Sequence, residues 1–199
     1  MRKGRRNDPE EVEIQMVDHE GGLTVCAVYP TPAFSAPNEC RPGKGGRMST
    51  RNNDVQVQFT VRVPSNAGFV ARTVNGSVET SLLEGNVEAY TVNGSVRMAT
   101  RSHARAETVN GSIRVAMGRT NWSNPVAFRT VNGSIQLELP PSAETDVRGE
   151  TVNGSVETDF PLDLTRRVGP KSFKGTIGSG GRELSLRTVN GSIRLRKGP

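Results

Sequence analysis

A chain of 199 residues suits one domain, or one domain with a small appendage. Apolar residues at 33% and aromatics at 5% are too few for an ordinary globular core, and 22 Gly with 12 Pro leave either disorder or a thin stack of small β-branched side chains. The net charge of +6 arises from 26 basic and 20 acidic residues, a mixture that reads as a solvated surface unless one sign is gathered on one face.

Residues 1–9 read as a disordered N-terminus. The basic start Met1–Arg6 is followed by Asn7-Asp-Pro-Glu-Glu11, with no apolar stretch to make a signal peptide. No apolar run reaches the ~20 residues that span a bilayer, so no transmembrane segment is expected. Residues 10–68 read as an N-terminal β cap with strands at Glu11–Val17, Gly22–Tyr29 and Val55–Val63. A Pro-rich loop covers 30–54, and Pro64–Gly68 turns the chain onward. Cys26 and Cys40 flank part of that loop. A disulfide between them is expected, because it would tie down the loop and stabilise one of this size by about 3 kcal/mol in the chain-entropy model; two reduced thiols are the rival reading. Two cysteines with no histidine pair nearby supply too few ligands for a metal site.

Residues 69–197 carry an internal repeat. Thr-Val-Asn-Gly-Ser-Val/Ile begins at Thr73, Thr91, Thr108, Thr130, Thr151 and Thr188, and Ser172–Ile177 is a degenerate copy. Apolar residues alternate with polar ones on both sides, as in Val87/Ala89/Thr91 before the motif and Ile113/Val115 after it. Thr and the closing Val/Ile are five positions apart, so the alternation slips once within Val-Asn-Gly. Asn and Gly tolerate positive φ, which places a corner or bulge there.

The resulting expectation is an all-β fold: a single-stranded parallel β-helix (β-solenoid) of about seven rungs, right-handed by the usual crossover rule. An antiparallel hairpin array is the rival reading of Asn-Gly. In parallel register, Asn75, Asn93, Asn110, Asn132, Asn153 and Asn190 form a side-chain ladder. Gly76, Gly94, Gly111, Gly133, Gly154, Gly175 and Gly191 are the corner glycines.

The repeats, together with Gly22–Pro30 and Cys40, resemble the bacterial putative-adhesin family of β-strand repeat proteins, a domain of unknown function. The resemblance implies a β-helix and an extracytoplasmic location, periplasmic or at the cell surface, with no catalytic residues to carry over.

Chemistry is sparse. Glu88 and Glu107 are the nearest approach to a carboxylate pair, and Arg neighbours read them as a solvated ladder rather than a glycosidase site. His19 and His103 stand alone. Gly178-Ser-Gly-Gly181 lacks the Lys and helix of a phosphate loop. The Asn-Gly-Ser sequons, and Asn121-Trp-Ser123, read as corner chemistry and a loop rather than glycan sites. Outward columns of mixed sign with few aromatics argue against specific nucleic-acid binding. No cofactor is expected. The function expected is a non-catalytic, envelope-associated binding or scaffold protein, monomeric, facing an unknown surface polymer or protein. The alternatives are a regulatory or stress-sensing envelope protein and, less favoured, a carbohydrate-active enzyme.

Overall fold

The computed structural model describes residues 7–43, 46–162 and 171–198. Of the segment 1–9, residues 1–6 lie outside the described residues. Chain contacts divide the protein after Arg62.

In the first unit, Asp8 caps a 3₁₀ turn at Pro9–Glu11 by accepting the Glu10 N–H at 3.0 Å. Strands β1 (Glu13–His19) and β2 (Gly22–Val28) pair antiparallel around Glu20-Gly21, with Gly22 at φ 127°. Cys26 and Cys40 are joined, with Cα atoms 5.8 Å apart. Asn38 pins the following loop: its Nδ2 donates to the carbonyls of Tyr29 and Ser49, each at 2.8 Å, and its Oδ1 accepts the Ser49 N–H at 2.6 Å. The strand expected at Val55–Val63 does not form. Only Val55 is buried there, while Phe59 and Val61 are 47% and 50% exposed. Alternation alone made that expectation, but a strand also needs a ladder partner.

The second unit is two facing, mostly parallel sheets. Four rungs follow chain order: β3 (Phe69–Arg72) with β4 (Val78–Leu83), β5 (Val87–Tyr90) with β6 (Val96–Thr100), β7 (Ala104–Glu107) with β8 (Ile113–Met117), and β9 (Val126–Arg129) with β10 (Ile135–Leu139). The order then breaks. β11 (Thr145–Asn153) and β12 (Val156–Thr158) leave one place empty beside β9 and β10. After β13 (Lys171–Ile177), strands β14 (Glu183–Asn190) and β15 (Ile193–Lys197) return to fill it. Thus β14 lies between β9 and β11, and β15 between β10 and β12, parallel to all four.

The degenerate copy is therefore not a rung. β13 runs antiparallel to β11 at the sheet's edge, with Gly175 opposite Val147, so Gly175 is a strand residue and not a corner glycine. Phe173 explains the arrangement. Gly149 sits in the inward column occupied elsewhere by Ala89, Ala106, Phe128 and Leu186, and a Cβ there would collide with the Phe173 ring. Phe173 fills the space left by Gly149 and is 1% exposed.

The core runs between the sheets. Val87, Ala89, Leu184 and Leu186 from one sheet, and Ile135, Leu137, Ile193 and Leu195 from the other, are at most 1% exposed. The core is mainly aliphatic, with Phe128, Phe173, Trp122 and Phe160 as its buried aromatics. At the first rung, Ser65 O accepts the N–H groups of Glu84 and Gly85 at 2.7 and 3.1 Å, closing part of the open edge.

Candidate functional site: the repeated corner and its outer face

Each corner residue has a separate task. Thr points inward and is buried: its hydroxyl donates to the carbonyl of the corner glycine on the neighbouring rung. The contacts are Thr91 to Gly76, Thr108 to Gly94 and Thr130 to Gly111 at 2.9 Å, Thr188 to Gly133 at 2.8 Å, and Thr151 to Gly191 at 2.7 Å. A hydroxyl thus replaces a ladder N–H where the strand bends. Thr188→Val keeps the shape and removes the donor. We expect a loss of about 1–2 kcal/mol in chemical denaturation; an unchanged midpoint would mean that the hydroxyl only fills space.

Val and Asn both face solvent, and this is where the alternation slips. The Asn side chains form a continuous ladder. Asn93 Nδ2 donates to Asn75 Oδ1 at 2.9 Å, and the steps from Asn110 to Asn93, Asn132 to Asn110, Asn190 to Asn132 and Asn153 to Asn190 are each 2.8 Å. The ladder is exposed, and its order repeats the insertion of the last copy. These bonds use one of the two amide N–H groups of every ladder Asn but Asn75, whose amide nitrogen has no partner among the described residues.

The corner glycines do not use left-handed backbone. Among the described residues positive φ occurs at Gly22, Gly43, Gly178, Gly180 and Gly181, and at Phe34 and Asn52. The requirement is space: a Cβ on Gly94, Gly111, Gly133, Gly191 or Gly154 would fall on the carbonyl of the glycine one rung away. The following Ser completes the corner. Its Oγ accepts the N–H of the next Ser, from Ser95 to Ser77 at 3.1 Å and from Ser134 to Ser112 at 3.2 Å.

The outward side chains of the two sheets differ. On the β5–β7–β9 sheet, opposite charges meet: Arg105 and Arg129 reach Glu107 at 3.3 and 3.6 Å, and Arg187 reaches Glu150 at 2.8 Å. Glu88 lies beside Arg105 in register and accepts the Tyr90 hydroxyl at 2.6 Å, while Glu107 is opposite Tyr90. Glu88 and Glu107 are thus diagonal neighbours with separate partners, not a convergent pair. Burial, then the Glu88 contact, pushes the Tyr90 phenol up; burial pushes the His103 imidazole down.

On the other sheet the outward column runs Glu79, Arg97, Arg114, Gln136, Arg194, Glu157 in spatial order. Arg194 and Arg196 both reach Glu157, at 3.2 and 2.9 Å, and Arg196 also holds Asp159 at 2.8 Å. That bond to Arg196 is the main cause of the lowered Asp159 carboxyl. Arg97 and Arg114 stand side by side, and neither makes an ion pair among the described residues. Chain order hides this cluster, because Arg194 joins it only through the inserted strand. A shallow groove of about 310 Å³ follows the column and is bounded by Ser95, Ser112 and Ser134. No group of three or more His, Cys, Asp or Glu able to hold a metal occurs among the described residues, and no helix there is long and apolar enough to cross a membrane.

No curated protein matches the chain. Among solved structures, a putative cell adhesion protein from Clostridium sporogenes is similar at 10% identity and a TM-score of 0.49, over 94% of this chain and 77% of that one. The Toastrack DUF4097 family profile matches residues 48–196, three-quarters of the sequence including every copy of the repeat, and the chain belongs to that family.

Proposed function

We propose that this protein is a non-catalytic, extracytoplasmic binding or scaffold protein that presents one face of its repeat stack to an envelope polymer or protein partner. The observation that carries this reading is the regular outer surface. Backbone and side-chain ladders repeat from rung to rung, and Glu88, Glu107, Glu150 and Glu157 are tied to a tyrosine or to arginines rather than aimed at a common point. The Cys26–Cys40 bond supports an oxidising compartment. The test is fractionation of the native cell with protease shaving, combined with thiol counting on the non-reduced protein. We expect cleavage on intact cells and no free thiol. A protected, fully reduced cytoplasmic protein would sink the reading.

A further inference from the structure

Like charges placed directly opposite each other in a sheet repel. Arg97 and Arg114 are such a pair, and elsewhere on the repeat sheets arginines such as Arg129, Arg187, Arg194 and Arg196 find carboxylates. Glu79 is opposite Arg97 in register, yet no ion pair within 4.0 Å forms there. Beyond Gln136, Arg194 continues the column on the adjacent strand. One side of it is lined by Ser95, Ser112 and Ser134, whose oxygens accept backbone N–H groups and whose protons have no acceptor among the described residues, apart from contacts at the far end of the row. On its other side the next outward row is Ala99 and Ala116, paired in register, followed by Glu138, which accepts the Gln136 amide at 3.1 Å, and Arg196.

We propose that this groove binds an acidic polysaccharide, a chain of uronate-type sugars lying along the stack axis. Guanidinium forks match carboxylates in two-point hydrogen bonds. The row of free serine protons suits sugar hydroxyls, and the small Ala pair lets a flat ring approach the sheet. Four adjacent strands at ~4.8 Å spacing offer a track of roughly 14 Å, which is a few sugars. The groove lining has no aromatic side chain on which nucleobases would stack. This ligand assignment rests on the surface-binding function proposed above.

The probe is oligogalacturonate, titrated by calorimetry into the full chain at low and moderate salt, with a neutral glucan as control. We expect binding to oligogalacturonate alone. Arg97→Gln/Arg114→Gln should weaken it about tenfold or more, since each lost charge-assisted contact matters. Arg148→Gln/Arg182→Gln removes the same charge from exposed positions off this column and should change affinity less than about twofold. Equal losses in both variants would reduce the effect to net charge and overturn the site. So would absent uronate binding, or tighter binding of duplex DNA or anionic vesicles through Arg97 and Arg114. Retention on isolated envelopes, measured in parallel, separates the failures. If envelopes hold the wild-type and the Arg97/Arg114 variant equally, the ligand assignment falls and the surface function stands; if envelopes hold neither, both fall.

Discussion

Removing residues 183–199 should unfold far more than the end of the stack. In a solenoid whose rungs follow chain order, losing the last rung exposes one interface and leaves the others intact. Here β14 and β15 are inside the stack, and their loss separates β11 and β12 from β9 and β10. Leu184, Leu186, Ile193 and Leu195 are each at most 1% exposed. At about 1.5–3 kcal/mol per buried aliphatic side chain, their removal costs roughly 6–12 kcal/mol. That is comparable with the whole stability of a domain, about 5–15 kcal/mol. We expect the truncated chain to lose cooperative unfolding, and hydrogen exchange to show β11, β12 and β13 unprotected. In the intact protein, β14 amides should exchange as slowly as those of β9. A truncated protein that keeps β11 to β13 protected would exclude the inserted position of the last repeat.

The motif made most of the second unit legible, because parallel register stacks identical residues and leaves little choice for Thr, Asn and Ser. The order of rungs was not legible in the same way. A period of two describes an antiparallel strand as well as a parallel one, so Ser172–Ile177 matched the repeat while pairing in the opposite direction. The pointer to its true role lay in two residues. Phe173 is an unfavourable residue for the solvent-facing Val position of the motif, and Gly149 stands where other rungs carry Ala, Leu or Phe. Read as a complementary pair, they mark a strand covering a gap. The misplaced rung also concealed the arginine column. In chain order Gln136 is followed by Glu157, whereas the inserted strand puts Arg194 there. Val55–Val63 had the right alternation but forms no strand, and the alternation of a segment says nothing about what pairs with it.

Alanine at Gly111 should be among the most damaging small substitutions in the stack, and alanine at Gly76 among the mildest. Both glycines occupy the same place in the motif, and neither has positive φ, so conformational freedom does not distinguish them. Their surroundings do. A Cβ on Gly111 would land on the Gly94 carbonyl, and relief would require prising apart two rungs held by backbone and Asn bonds. A Cβ on Gly76, on the first rung, would meet only the Thr73 side chain, at 3.4 Å or more. Overpacking of this kind costs about 3 kcal/mol. In a protein of this length that lowers the melting temperature by roughly 6–12 °C. At Gly76 the new methyl restricts the unfolded chain and meets no backbone, so we expect a change within about 1 kcal/mol, in the stabilising direction. The comparison, read by thermal or urea denaturation, separates two explanations for the same conserved-looking letter within one sequence. If both variants lose stability equally, the corner is limited by backbone conformation. If only Gly111→Ala does, it is limited by the approach of one rung to the next, and the repeat's Gly is a spacing device whose need begins with the second copy.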